Sequence, residues 1–175
     1  KVNDPEFPID EIKEIGYHSE FWGQKGHYGV AILSKEKPME VVKGFVDDSA
    51  DDQKRFIQGT FKWKKEKITI MNGYFPQGEN RAHETKFPKK IKFYDDLEKH
   101  IKNLQKKEKN LIVMGDFNVA PTELDIGIGE VNVKRWLREG KTAFLPEEIE
   151  MWNKIKNLNF FDSWRLQNPN EDSIF

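Results

Sequence analysis

The chain has 175 residues, of which 37% are hydrophobic and 34% charged, and its formal net charge is −1. This length suits one globular core, and 13 Phe with 5 Trp exclude a disordered or low-complexity chain. The lack of cysteine excludes disulfides, a thiolate nucleophile and cysteine-bound zinc, whereas the near-zero charge neither supports nor excludes a locally basic surface for nucleic acid.

The first half of the sequence carries the pattern of β-strands. Residues 29–33 are a short apolar run typical of a buried strand, and residues 39–45 and 56–63 are rich in β-branched and aromatic side chains. Residues 67–74 alternate with period two before they reach a Gly/Pro loop. The last of these segments is therefore predicted to be a strand that ends in a polar loop.

The second half changes to helical spacing. Residues 87–107 place Phe93, Leu97, Ile101 and Leu104 on one face, which predicts a long amphipathic helix, and the apolar residues 111–114 predict a buried strand ending at Gly115. Strand, helix and strand together predict an α/β unit. A second helix is predicted to begin at Pro146, with one face formed by Ile149, Trp152, Ile155 and Leu158.

The most informative polar residues follow the strand at residues 111–114. Asp116 and Asn118 are two positions apart, and in an extended chain such positions point to the same side. An aspartate can act as a base or bind a hard cation, and an asparagine can donate to developing negative charge. The alternative is a simple turn, because both residue types bond their own backbone at strand ends.

Tyr74 lies at a second strand end, in the loop segment 72–78. Its hydroxyl could donate to a phosphate, or the ring could be an ordinary tyrosine packed beside Phe75 and Pro76. Two basic clusters, Lys54-Arg55 and residues 134–138, could contact nucleic acid, the second through the interleaved Trp136 as well. Solvated surface is the alternative for both clusters.

Other residue types give no site of their own. The histidines lack a zinc-binding spacing, the acidic run lacks the order of an EF-hand and is expected to be a solvated hairpin loop, and the serines lack a G-x-S-x-G context. These residues are His18, His27, His83 and His100; Asp47, Asp48, Asp51 and Asp52; and Ser34, Ser49, Ser163 and Ser173.

Taken in order, several segments resemble the bacterial exonuclease III type of apurinic/apyrimidinic endonuclease, within the endonuclease/exonuclease/phosphatase superfamily. The strings G-Y-F-P-Q-G and K-R-W-L-R are the specific ones, and M-G-D-F-N alone would indicate only the superfamily. The matching segments are residues 23–31, 72–79, 86–88, 114–118, 121–127 and 134–138.

The resemblance implies a four-layer α/β sandwich, in which two mixed sheets pack face to face with helices outside. It also implies Mg²⁺- or Mn²⁺-dependent hydrolysis of DNA phosphodiesters, including cleavage beside abasic sites, 3′→5′ exonuclease action and removal of 3′ blocking groups. The implied partner is double-stranded DNA with abasic sites or 3′ ends. The implied protein is a monomer.

The resemblance also implies roles for single residues. Asp116 matches the aspartate that orients or deprotonates the attacking water, Asn118 the asparagine that stabilises the pentacoordinate phosphate, and Tyr74 the tyrosine that contacts the scissile phosphate. Asp116 and Asn118 are also the implied metal-binding residues. The implied contacts to the DNA backbone come from Arg55, Lys86, Lys134 and Arg135.

The sequence departs from the family pattern at both ends. It contains no counterpart of the glutamate that is the family's principal metal ligand, or of the aspartate and histidine that complete the site. We therefore expect residues 1–175 to form one partial domain, the central portion of the nuclease, with little or no activity on its own. The alternatives are a non-catalytic nucleic-acid-binding module and another phosphoesterase of the superfamily.

The sequence has no apolar stretch near the ~20 residues that cross a bilayer, and Lys1 and Asn3 do not resemble the start of a signal peptide. We therefore expect a cytoplasmic protein that does not contact a membrane.

Overall fold

The computed structural model of the protein describes residues 2–49 and 53–172. Lys1, Asp51, Asp52 and Ser173, which entered the sequence analysis, lie outside the described residues. The strands are β1 (His18–Gly23), β2 (Gly29–Ser34), β3 (Glu40–Lys43), β4 (Phe56–Trp63), β5 (Glu66–Tyr74) and β6 (Leu111–Asp116). The helices are α1 (Ile9–Glu14), α2 (Lys86–Leu104), α3 (Glu130–Glu139), α4 (Pro146–Lys156) and α5 (Ser163–Gln167). In the described part of the chain, no helix is long and apolar enough to cross a membrane.

The first of two compact units comprises Lys1–Phe75 and Asn103–Phe117 and contains both sheets. β1 and β2 form an antiparallel pair, and the second sheet has the order β3-β4-β5-β6. A shared core of Val30 and Ile32 from β2 with Ile57 and Phe61 from β4 joins the two sheets. The predicted α/β fold class with two packed sheets is confirmed.

Strand pairing gives the direction of the strands in each sheet. The four-stranded sheet is mixed, because β3, β4 and β5 pair antiparallel and β5 and β6 pair parallel. The two-stranded sheet is antiparallel over the described residues. The parallel pair, linked through α2, confirms the predicted strand-helix-strand unit.

β3 is shorter than the predicted segment 39–45, and the turn after it explains why. Gly44 has a φ of +76°, a left-handed conformation that ends the strand. The Phe45 amide then donates to the Asp48 carboxylate at 2.7 Å instead of joining a strand ladder. Asp48 is thus part of the connection between β3 and β4, as a loop residue should be.

β6 lies at the edge of the four-stranded sheet, where the sequence predicts a buried strand. Ile112 and Met114 are 39% and 47% exposed. β6 pairs only with β5 among the described strands, and Ile112 and Met114 point to the same face because alternate residues of a strand share a face. That face is therefore partly uncovered at β6. The expected burial of this strand is therefore wrong, although the strand itself is present and extends to Asp116.

The second unit comprises Pro76–Lys102 and Asn118–Phe175 and is helical. The predicted apolar face of α2 is confirmed for Phe93, Leu97 and Ile101, but Lys90 is buried on the same helix. On α4 the buried residues are Glu148, Met151 and Ile155. The predicted burial is confirmed for Ile155, but Glu148 and Met151 are buried in place of Ile149 and Trp152, and Leu158 follows the end of the helix.

Candidate active site

Tyr74 and Asp116 end two neighbouring parallel strands and face each other in the register of the sheet. The Phe75 amide donates to the Asp116 carbonyl oxygen at 2.9 Å, which continues the pairing one residue beyond β5. Because paired residues of adjacent strands point to the same face, the phenol and the carboxylate lie side by side at this edge. The first unit therefore brings together two of the three predicted catalytic side chains.

The backbone geometry at position 115 explains why a glycine precedes Asp116. The φ of Gly115 is +125°, and a Cβ atom at this position would lie 2.0 Å from the carbonyl oxygen of Gly73, its partner on β5. Only glycine permits this approach of the two backbones. Glycine at position 115 is therefore required by the close backbone contact between β5 and β6 just before the candidate site.

Arg55 contacts Tyr74 and is almost completely buried, with 8% of its surface exposed. Its guanidinium carbon lies 4.1 Å from the centre of the Tyr28 ring and 4.8 Å from that of Tyr74. Nη1 donates to the Tyr74 carbonyl oxygen at 2.9 Å, and Nε donates to Gln53 Oε1 at 2.6 Å. Arg55 therefore holds the end of β5 from the side.

The surroundings of Arg55 affect the pKa of its guanidinium in two opposing ways. Burial lowers the pKa of the guanidinium, while Tyr28, Tyr74 and Asp116 favour its charged form. A DNA contact by Arg55 stays a prediction, and any such contact would come from a side chain that is largely covered.

Asn118 belongs to the second unit, and its backbone differs from the predicted extended form. β6 ends at Asp116, and Asn118 has a φ of +51°, a left-handed conformation that asparagine tolerates better than most residues. The extended-chain spacing that aligned Asp116 with Asn118 therefore does not apply. The Asn118 carbonyl oxygen accepts a hydrogen bond from Lys90 Nζ at 2.8 Å.

The predicted phosphate-binding residues Lys86, Lys134 and Arg135 also lie in the second unit. Lys86, the first residue of α2, forms an ion pair with Glu79 and lowers the pKa of that carboxyl. Lys134 pairs with Glu130 at 2.6 Å on α3, with both side chains exposed. Exposed ion pairs of this kind are weak, so they leave the lysines available for exchange with phosphate.

Trp136 lies in the same basic segment but packs inside its own unit. Its ring is nearly parallel to that of Phe144, with 5.9 Å between the ring centres, and Lys141 Nζ lies 5.3 Å from it. The interpretation of this ring as a contact to a sugar or base gains no support from that packing. The cations of α3 are the more accessible feature of the segment.

The described residues do not form the predicted metal site by themselves. Within residues 2–49 and 53–172, no group of three or more His, Asp or Glu side chains is arranged to hold a metal ion. A hard divalent cation needs several oxygen ligands. Asp116 and Asn118 would therefore require further donors, and no catalytic step is assigned to a metal.

The sequence analysis missed Tyr28, which contacts Arg55, and Lys90, which contacts Asn118 and pairs with Glu148. Tyr28 was part of a matching segment but carried no role. Lys90 had a detectable signal, since it lies three residues before Phe93 and seven before Leu97, at the spacing of the buried face of α2. A lysine at such a position needs a buried partner.

Comparison with known proteins agrees on one family. The model of the Endonuclease/Exonuclease/phosphatase family matches residues 3–170. The chain is 47% identical to exodeoxyribonuclease III of Haemophilus influenzae over 175 residues, which is all of this chain and 66% of that protein. The resemblance to the exonuclease III type is thereby confirmed.

Solved structures show the same similarity. An AP endonuclease from Archaeoglobus fulgidus matches with a TM-score of 0.82 and 32% identity, over 98% of this chain and 62% of that one. The 3′ phosphatase NExo from Neisseria, bound to a product DNA hairpin, matches with a TM-score of 0.87 and 26% identity over the same shares. The chain thus spans less than two thirds of the length of these proteins.

Proposed function

Because the chain belongs to the endonuclease/exonuclease/phosphatase family, we propose that it is the central portion of a DNA repair nuclease. The proposed reaction is hydrolysis of DNA phosphodiesters, as 3′→5′ exodeoxyribonuclease and as AP endonuclease, with cleaning of blocked 3′ ends. The proposed substrate is double-stranded DNA with abasic sites or 3′ ends. The names of the relatives, an exodeoxyribonuclease III and an AP endonuclease, support this substrate class.

The observation that carries the proposal is the pairing of Tyr74 with Asp116 at the ends of β5 and β6. Hydrolysis of a phosphodiester requires an oriented water and donors to the phosphate oxygens. Asp116 would accept the proton of the attacking water, and the Tyr74 hydroxyl would donate to the phosphate. Asn118 would donate its side-chain amide to the charge that develops on the pentacoordinate phosphate.

Positively charged side chains would bind the DNA backbone. Lys86, Lys134 and Arg135 would contact phosphates, and Arg55 would act beside Tyr74. We propose Mg²⁺ or Mn²⁺ as the cofactor, with Asp116 and Asn118 among its ligands once further oxygen donors are supplied. Bound there, the cation would neutralise charge on the phosphate. We also propose that the protein is a monomer that acts in the cytoplasm.

The proposal is tested with the full-length gene product and a duplex that contains one abasic site. In millimolar Mg²⁺, Asp116→Asn is expected to slow cleavage by about 100-fold or more, because the amide cannot accept a proton. Asp95→Asn, on α2, is the control and should cleave at the wild-type rate. Duplexes with recessed 3′ ends and with 3′ phosphates, assayed in parallel, divide the activity among the three proposed reactions.

A wild-type protein that binds these duplexes without cleaving them would favour the non-catalytic binding module. The lack of a three-donor metal cluster among the described residues is the observation that keeps this alternative. In that case, affinity should fall steeply with salt, and Lys134→Ala should reduce the slope. A protein that neither binds nor cleaves DNA would contradict both functions.

A further inference from the structure

Lys90 and Glu148 form a buried ion pair inside the second unit, and both side chains are 0% exposed. Lys90 Nζ donates to Glu148 Oε1 and to two backbone carbonyl oxygens, that of Asn118 at 2.8 Å and that of Gln77 at 3.2 Å. The ammonium group can form three such bonds. One cation therefore joins α2, α4 and two loop segments.

Glu148 extends the same network through its other oxygen. Its Oε2 accepts the backbone amides of Ala143 at 2.8 Å and Leu145 at 2.9 Å. The Ala143 carbonyl oxygen in turn accepts the Ala120 amide at 2.7 Å. The segment after Asn118 is thus bound at two points, directly by Lys90 and indirectly through Glu148.

The segments that the pair holds have unusual backbones. Asn118 has a φ of +51°, Ala143 of +124° and Gly78 of +89°. For residues other than glycine, such conformations cost energy and persist only where the surroundings enforce them. The Asn118 carbonyl oxygen that accepts from Lys90 and the Ala143 amide that donates to Glu148 belong to two such residues that are not glycine.

Packing alone does not explain this pair. Replacing a buried ion pair by apolar residues of similar volume often leaves stability unchanged or higher. An apolar pair would still fill the space between α2 and α4, but it could not direct hydrogen bonds to Gln77, Asn118, Ala143 and Leu145. Unlike an apolar pair, the charged pair therefore orients these backbone groups.

We propose that Lys90 and Glu148 are positioning residues for the reaction and act through Asn118. The pair fixes the left-handed backbone of Asn118 and so sets the direction of its side-chain amide. The proposal rests on the proposed function, since it assumes that Asn118 stabilises the phosphate during hydrolysis.

The kinetic test compares three variants of the full-length gene product. Lys90→Met removes the cation, and Lys90→Met/Glu148→Gln also removes the buried charge that would otherwise be unpaired. The control is Lys92→Met on the same helix, where the half-exposed Lys92 forms an ion pair with the buried Asp96 at 2.5 Å. All variants are assayed on the abasic duplex, and their unfolding midpoints are measured in urea.

We expect both Lys90 variants to lower kcat by about 10- to 100-fold with KM within about threefold of wild type, because misplaced groups lose rate rather than DNA affinity. The double variant should unfold nearer to the wild-type midpoint than Lys90→Met does. If the pair served stability alone, kcat of the double variant would recover together with its midpoint, and this recovery would overturn the proposal.

A spectroscopic readout separates this proposal from the proposed function. The Asn118 side-chain amide is followed by NMR after selective ¹⁵N-asparagine labelling, with its signal assigned from Asn118→Gln. We expect this signal to shift in both Lys90 variants and to stay in place in Lys92→Met, while the Asn110 signal does not move. If the wild-type protein cleaves no DNA, the proposed function fails, and an unshifted Asn118 signal would still overturn the positioning role.

Discussion

Gly115 shows how one small residue sets the distance between the two candidate catalytic strands. The carbonyl oxygen of Gly73 occupies the position where a side chain of residue 115 would begin. Any side chain there would push β6 away from β5 and separate Asp116 from Tyr74. Glycine at this position therefore matters for both stability and geometry.

We predict that Gly115→Ala destabilises the protein by at least about 2 kcal/mol more than Gly26→Ala. Gly26 is the matched control, because its φ of +100° is also unfavourable for alanine but a Cβ atom there meets nothing within 4 Å. Urea unfolding of the two variants measures the difference. Equal losses of stability in the two variants would mean that β5 and β6 can separate at no cost. This result would contradict the close approach of the two strands at Gly115.

Asp125 is the residue at which pH dependence can be predicted. It accepts hydrogen bonds from the Thr122 amide at 2.9 Å, the Thr122 hydroxyl at 2.6 Å and the Arg165 guanidinium. Partial burial raises the pKa of this carboxyl, but the bonds from Thr122 and Arg165 outweigh burial, and the net pKa is lowered. The ionised form is therefore bound more tightly in the folded than in the unfolded protein.

A carboxyl with a lowered folded pKa stabilises the protein above its unfolded pKa and loses that contribution as pH falls through the folded value. We predict that Asp125→Asn is less stable than wild type at pH 7 by about 1 kcal/mol or less, since the ion pair keeps some contact with solvent. The difference should shrink below about pH 4. Urea unfolding at several pH values measures it, with the exposed Glu123→Gln as the control, and a difference that grew towards low pH would contradict the assignment.

At the residue scale, the sequence predicted positions that follow strongly patterned strands and missed those that depend on tertiary contacts. Tyr74 and Asp116 could be found because each ends a recognisable strand. The burial of Arg55 depends on Tyr28, which is distant in sequence, and Lys90 was treated as one of the many charged residues of α2. The left-handed backbone of Asn118 is held by contacts of the same kind.

At the scale of elements, periodic patterns were the reliable signal. β4 matches its predicted bounds, and β5 and α2 differ from theirs by a few residues, because alternation and helical spacing mark their buried faces. α3 was not predicted as a helix, since only four of its ten residues are apolar and none is buried. α1 and β1 were missed for a similar reason, as both lack an extended apolar run.

The exposed edge of β6 gives a prediction for the 175-residue chain. Met114→Lys should change the free energy of unfolding by less than about 0.5 kcal/mol, because the side chain is already half exposed. It should also reduce self-association, since a lysine at a sheet edge disfavours pairing with another strand. Urea unfolding and light scattering measure the two effects.

Met71→Lys on the neighbouring strand β5 is the matched comparison. Met71 is completely buried, so we expect this substitution to cost more than about 4 kcal/mol. If Met114→Lys were as damaging as Met71→Lys, β6 would be covered rather than exposed.

At the scale of the whole molecule, the chain matches its relatives over nearly all of its own length but less than two thirds of theirs. Its described residues lack a group of three metal-binding side chains. We therefore predict that the 175-residue chain cleaves an abasic duplex about 100-fold or more slowly than the full-length gene product in Mg²⁺. Equal rates, abolished in the chain by Asp116→Asn, would contradict this prediction.

The parallel pairing of β5 with β6 also has a consequence for the order of folding. β4 and β5 form a hairpin in which Trp63 pairs with Glu66, so only Lys64 and Lys65 form the turn. Such local contacts form on a timescale of about 1–10 μs. β6 can join only after the intervening chain with α2 has closed a long loop, which is intrinsically slower. A chain that has formed only the hairpin therefore has Tyr74 in place without Asp116, and the meeting of these two residues reports that the sheet is complete.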